Sequence, residues 1–173
     1  MMFETPRLLL RPPRLADAPA LFEFLGDATA MQYTTRQGSL RDCRRYLAAH
    51  EWQRRHVGCG PWVIAEKDTK ATIGFGGLYD DPFDPGWGVE VGYFLAPAAW
   101  GKGYATELTE FCVALARQRP GLQVIRAFAH PDSGFRQERF LPEMTRLLYR
   151  LDLDAVGGGD AEGFRRPGEG RGP

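Results

Sequence analysis

Charge of one sign is what this 173-residue sequence most plainly lacks: 22 Lys and Arg stand against 22 Asp and Glu. A balanced chain has no broad basic surface for nucleic acid or anionic lipid, so neither partner is expected. No apolar run approaches the roughly 20 residues that cross a bilayer, and the first residues lack the charged-then-apolar layout of a signal peptide. Cysteine is scarce as well. Cys43, Cys59 and Cys112 are odd in number and form no CxxC pair, and the three histidines have no metal-ligand spacing. A disulfide framework and a metal site are therefore not expected, and a reducing cytoplasm fits. Hydrophobic residues at 43% leave enough material for one real core, so a single domain is expected.

What the sequence does contain is concentrated between Val89 and Arg117 (VEVGYFLAPAAWGKGYATELTEFCVALAR). Val89, Val91, Tyr93 and Leu95 alternate with Glu90, Gly92 and Phe94, as the two faces of a strand do. From Tyr104 the spacing changes: Tyr104, Leu108, Phe111, Cys112 and Leu115 recur three or four apart, one face of a helix. Strand, glycine-containing turn and helix follow one another. The first N–H groups of a helix have no partner inside it, and the helix dipole makes that end positive. Gly101 and Gly103 let an anion approach the main chain, and Lys102 adds a cation. A phosphate or pyrophosphate suits such a place; so does an ordinary connection whose glycines serve only the turn. Two known phosphate motifs fail here. A P-loop needs Ser or Thr where Gly103 stands and Gly where Ala96 stands, and a dinucleotide fingerprint needs Gly at Thr106.

Elsewhere the chain reads as alternating elements. Arg7–Arg11 is a short strand closed by Pro12-Pro13, and Asp17–Leu25 a helix stopped at Gly26. Residues 27–38 are irregular. Ser39, with Asp42 three residues on, predicts the cap of a helix from about Leu40 to Arg55 that buries Leu40, Cys43, Leu47 and His50. The Arg41, Arg44, Arg45, Arg54 and Arg55 cluster fits a solvated helix face or, less economically, a surface for an acidic partner. Pro61–Glu66 and Ala71–Leu78 form a hairpin in which Gly74, Gly76 and Gly77 mark bulges or close backbone approach. The turn-rich loop Asp80–Gly88 carries Trp87, suited either to line a substrate mouth or to anchor the loop. Leu122–Ala129 is a further strand, and Val156–Pro173 is rich in Gly, Pro and charge, as disordered tails are.

Trp100-Gly-Lys-Gly-Tyr-Ala-Thr-Glu107 resembles the acyl-CoA-binding motif of the GNAT N-acetyltransferases, with Gly103 and Ala105 matching and Trp100 where Gln or Arg is commonest. Glu90–Leu95 resembles the family's fourth strand in its ribosomal-protein-acetylating (RimJ/RimL-type) branch, and Thr5–Arg11 with Asp17-Ala18 its first strand and helix. The resemblance implies an α/β (α+β) fold, a mixed central sheet with helices on both faces, over residues 1–154, ahead of a disordered 155–173. It implies acetyl transfer from acetyl-CoA to a primary amine, a protein N-terminus or a small molecule, by a monomer or homodimer without a metal. The arm of the cofactor would align on Phe94 and Leu95, and its pyrophosphate on Trp100, Gly101, Lys102, Gly103, Tyr104, Ala105 and Thr106. Glu90 is the expected general base; a salt-bridged carboxylate is the plainer reading of the same residue. Tyr33, Trp87 and His130 are expected on the substrate side, with Arg36 and Trp52 as looser candidates; His130, at the end of the next strand, is also a candidate for acid/base work.

The resemblance breaks after His130-Pro-Asp-Ser133. The family continues with a helix that carries its usual acid, a Tyr; here Gly134-Phe135-Arg136 follows at once, and roughly a dozen residues are missing. The rest resembles the closing hairpin, Arg136–Phe140, a turn at Leu141–Glu143, and a strand from Thr145. Either the penultimate strand leaves its usual place or the sequence omits residues, and a catalytically impaired acyl-CoA-binding or interaction protein of the same fold becomes the rival to an enzyme. A generic nucleotide binder, for which ATP would compete with CoA, is a third reading.

Overall fold

The computed structural model describes residues 1–129, 139–141 and 144–153. Its strands are β1 (Phe3–Glu4), β2 (Leu8–Arg11), β3 (Trp62–Glu66), β4 (Thr72–Asp80), β5 (Val89–Leu95), β6 (Val124–Ala129), β7 (Arg139–Leu141) and β8 (Met144–Asp152). Its helices are α1 (Ala18–Leu25), α2 (Leu40–Val57) and α3 (Tyr104–Arg117), with single 3-10 turns at Leu15–Asp17 and Pro97–Ala99. The strands form one sheet in the order β1-β2-β3-β4-β5-β6-β8-β7. Every pairing is antiparallel except β5 with β6.

Alternation along the strands sends side chains to two separate cores. Leu8, Leu10, Trp62, Ile64, Leu78, Val91 and Ile125 pack under α3 against Tyr104, Leu108, Cys112 and Ala116. Val63 and Phe75 face the other way, beneath Ala18, Leu21, Phe24 and Leu25 of α1 and Cys43 and Leu47 of α2. The expected mixed sheet with helices on both faces is what these two clusters build. Ser39 caps α2 as expected: its Oγ accepts from the Asp42 N–H at 3.1 Å and donates to the Asp42 carboxylate at 2.6 Å. The helix runs on to Val57 and ends at Gly58, whose φ of 76° is the left-handed conformation glycine adopts freely.

The glycines of β4 mark close approach. A methyl group on Gly76 would stand 2.4 Å from the Gly92 carbonyl oxygen and from Tyr93 Cα, so β4 and β5 pass each other without room for a side chain. The register also shifts between Ile64 and Ala65 on β3.

The closing hairpin is present, and its geometry answers the crossover problem. β8 pairs with β6 from Val124↔Asp152 to Ala129↔Leu147, and its first residues overhang the end of β6. β7 pairs with that overhang, Arg139↔Arg146 to Leu141↔Met144. β7 thus begins across β8 from the end of β6, opposite the next residue of β8, and has no need to return along the sheet. A long crossover, which parallel neighbours require, is not needed for three residues placed there. The expected strand start at Arg136 and the residues from 154 onward lie outside the described residues, as does His130.

Candidate active site

β5 is the axis of the site. Toward β4 it is paired along its whole length, from Asp80↔Val89 to Gly74↔Leu95. Toward β6 it has one pair, Glu90↔Arg126, after which the two parallel strands part. The Ala96 N–H bonds the Ile73 carbonyl of the β4 segment at 2.9 Å. Alternation then turns the main-chain groups of Phe94 and Gly92 toward β4, and those of Tyr93 and Leu95 into the gap. The exposed edge is therefore supplied by Tyr93 and Leu95, whereas the sequence had pointed to Phe94 and Leu95. Phe94 contributes a side chain to the α1/α2 core instead.

At the wide end of the gap stands the start of α3. Gly103 is its N-cap at φ 77°, with no side chain among the described residues capping it, and Gly101 is also left-handed at φ 71°. The first intrahelical bond of this end runs from the Glu107 N–H to the Gly103 carbonyl. The N–H groups of Tyr104, Ala105 and Thr106 precede it and have no intrahelical acceptor. Gly101, Lys102, Gly103 and Thr106 are exposed. Tyr104 is the exception among the expected binding residues: its ring is buried in the α3 core and its hydroxyl donates to Glu66, so only its amide faces the loop. The Trp100 indole N–H donates to the outward-facing Leu95 carbonyl at 2.8 Å and ties the loop to the end of β5.

The loop is also bolted from behind. Glu107, in the first turn of α3, accepts from Thr5 Oγ1 at 2.5 Å, from the Arg7 N–H at 2.8 Å and from Arg7 Nε at 2.6 Å. Arg7 Nη1 continues to the Lys102 carbonyl at 2.8 Å. Burial raises the pKa of Glu107, but these donors outweigh it and hold the carboxyl below its ordinary value. On this flank lies an open hollow of about 700 Å³ that includes Glu4, Glu107 and Glu110 among its lining residues. Gly103 and Thr106 of the helix start line the same hollow, as does Arg7, which offsets the Glu107 charge.

Glu90 lies at the narrow end of the gap and is 8% exposed. A buried carboxylate needs donors, and the Tyr79 hydroxyl, on the residue opposite Glu90 in the β4–β5 register, is one. Burial first and the Glu90 charge next push Tyr79 well above the ordinary tyrosine range. A methyl on Gly92 would stand 2.4 Å from Tyr79 Oη, so the bare backbone at Gly92 is what lets this hydroxyl lie across β5. Behind the pair, His50 is enclosed by the rings of Tyr46, Phe75, Tyr79 and Phe83, with centroids 4.5 to 5.9 Å away. His50 is 1% exposed with no hydrogen-bond partner on either ring nitrogen among the described residues, and burial lowers its pKa to about 3. It is a neutral imidazole in an aromatic box.

Trp87 is half-buried: its ring meets Phe128 edge-on at 5.5 Å, and its carbonyl accepts from Arg126, the residue opposite Glu90. It thus anchors its loop at the narrow end of the gap. Tyr33 lies in the turn-rich segment between α1 and α2 and is 43% exposed. Arg36 shares that segment. Trp52 stacks on His56 at 3.8 Å on the outer side of α2. Two residues from His50, it points about 200° around the helix, away from Glu90. Sequence reasoning passed over Tyr79, Tyr46 and Phe83 as site residues. Only the register of the β4–β5 hairpin, which puts Tyr79 opposite Glu90, carried a signal for them.

Comparison with known proteins agrees with this geometry. The family described as "Acetyltransferase (GNAT) domain" matches residues 7–133, ending at the Ser133 where the sequence pattern breaks. The chain is 27% identical over 110 residues to the uncharacterized protein YkkB of Bacillus subtilis (strain 168), a match spanning 63% of this chain and 64% of that one, just under two thirds of the relative. Among solved structures, an acetyltransferase from Agrobacterium tumefaciens superposes with a TM-score of 0.70 at 22% identity, covering 87% of this chain and 93% of the other. RimL, a ribosomal L7/L12 alpha-N-protein acetyltransferase solved with coenzyme A, gives 0.70 at 15% identity, over 90% and 100%. At those identities the likeness is one of fold. With the family match over most of its length, a sheet that parts beside Glu90 and a glycine-led helix start at the wide end of the gap, this chain belongs to the GNAT acetyltransferase family.

Proposed function

We propose that the protein transfers the acetyl group of acetyl-CoA to a primary amine, a protein N-terminus or a small molecule, in the cytoplasm. The observation that carries this reading is the parting of β5 and β6 between a free helix start and a buried carboxylate. Acetyl transfer from a thioester needs the amine deprotonated, the reactants aligned, the developing oxyanion stabilised and the thiolate protonated. The amides of Tyr104, Ala105 and Thr106, with Lys102, hold the pyrophosphate. The pantetheine arm adds to the β5 edge through the main chain of Tyr93 and Leu95, as an extra strand would. Glu90 takes the amine proton, directly or through a water. Tyr33, Trp87 and His130 face the acceptor.

A ribosomal-protein N-terminus belongs in the acceptor panel because RimL, a structural neighbour, is named for such a substrate. The test is consumption of acetyl-CoA with a panel of small amines and N-terminal peptides. Turnover with one of them is expected. A second reading, a binding protein without turnover, draws on the family match ending at Ser133 and on a β7 of three residues. Binding of acetyl-CoA with no turnover across the panel would favour it.

A further inference from the structure

The thiolate that leaves acetyl-CoA must receive a proton, and the tyrosines whose side chains the structure describes, Tyr33, Tyr46, Tyr79, Tyr93 and Tyr104, stand in different places. The Tyr104 hydroxyl is committed to Glu66 at the outer end of the α3 side. Tyr93 packs in the α3 core, its hydroxyl bonded to Thr109. Tyr46 sits on α2 in the aromatic box, and Tyr33 on an exposed turn. Among the described histidines none offers a proton there: His50 is buried without a proton to give at neutral pH, and His56 lies on the outer side of α2 against Trp52. Tyr79 alone among them places its hydroxyl over Gly92, beside Glu90, at the narrow end of the gap. With the pyrophosphate at the α3 start and the arm on Leu95 and Tyr93, the thioester points down β5 toward Gly92.

We propose that Tyr79 is a catalytic proton donor: its hydroxyl carries to the departing sulfur the proton that Glu90 takes from the amine. The proposal rests on the acetyl-transfer reading above. The steps balance. The amine nitrogen forms its bond to the acetyl carbon and loses one proton to the Glu90 carboxylate. The C–S bond breaks and its electron pair leaves on sulfur. In the resting state Tyr79 donates to Glu90. Once Glu90 is protonated that hydrogen bond reverses, Glu90 O–H donating to Tyr79 Oη and freeing the Tyr79 hydrogen for sulfur. The proton passes from Glu90 to Tyr79 as Tyr79 gives its own to the thiolate, which restores the carboxylate and yields the free thiol. Burial keeps Tyr79 protonated through the neutral range, so it reaches this step loaded, and coupling to Glu90 spares it from ever standing as an isolated phenolate.

Tyr79→Phe removes one oxygen and keeps the ring in its box. It is expected to lower kcat with acetyl-CoA by roughly 100-fold while leaving acetyl-CoA affinity within about twofold. With an acetyl thioester of a nitrothiophenol, whose thiolate leaves without a proton, the same substitution should cost less than about fivefold. Gly92→Ala is the second variant: it pushes the hydroxyl aside and should reproduce the donor-dependent loss. An equal loss with both donors in the folded variant, or a kcat near wild type with acetyl-CoA, would overturn the proposal and leave acetyl transfer standing. Wild-type protein that binds acetyl-CoA but acetylates no amine would overturn both.

Discussion

The start of α3 and the pocket around Glu90 sit at opposite ends of one parting between β5 and β6, and they are made of different material. At the wide end the groups on offer are main-chain amides, exposed and held in place by left-handed glycines and an Arg7–Glu107 brace. At the narrow end they are side chains, buried and drawn from β4, β5 and α2, with one carboxylate in an aromatic enclosure. An exposed helix end recognises an anion whatever it is attached to, so on the proposed reading the wide end determines binding. A buried carboxylate whose charge reaches the Tyr79 and Tyr46 hydroxyls is sensitive to where each proton stands, so on the proposed reading the narrow end determines chemistry. The two should therefore fail separately.

The largest expected separation comes from Glu90→Gln. It should lower kcat by about 100-fold or more, the range of a lost general base, with calorimetric acetyl-CoA affinity unchanged. Unchanged turnover would remove Glu90 from that role. The next effect concerns stability and belongs wholly to the narrow end. Burial holds the folded pKa of His50 at about 3 against an ordinary 6.5, so the unfolded chain takes up the proton first as pH falls. Stability contributed by the neutral imidazole is complete above pH 6.5 and lost progressively below it, by about 2 kcal/mol at pH 5. Urea denaturation at pH 7 and pH 5 should show that loss in the wild type and not in His50→Leu. A parallel fall in both would sink the assignment.

At the wide end, Gly103→Val places a β-branched residue at φ 77°, where the turn that presents the amides must shift, with its Cβ facing Arg7 Nη2 at 3.5 Å. Acetyl-CoA affinity should drop by about tenfold or more, with kcat at saturating cofactor near wild type. Arg7→Ala, which frees the Lys102 carbonyl and one side of Glu107, should cost only a few-fold in affinity, read by the same titration, because that brace is partly exposed.

This division also explains what the sequence disclosed. The wide end is local: strand, glycines and helix follow one another from Val89 to Arg117, and periodicity with turn chemistry placed β5 and α3 at their observed bounds. The cap at Ser39 and the close approach at Gly76 were legible for the same reason. The narrow end is not local. Tyr79 meets Glu90 through a hairpin register that follows only when the length of the 81–88 loop is known, and His50 and Tyr46 arrive from a helix some 40 residues earlier. β1, two residues long, carries too short a pattern to read. The place of β7 depended on where β8 overhangs β6, a matter of register that composition does not encode.

Isothermal titration of the folded wild-type protein with acetyl-CoA, beside Gly103→Val, tests the central claim most directly. One site per chain, weakened about tenfold or more in the variant, is the expected result. No heat from the wild type, or equal affinity in the two proteins, would contradict the assignment of the diphosphate to the amides that open α3.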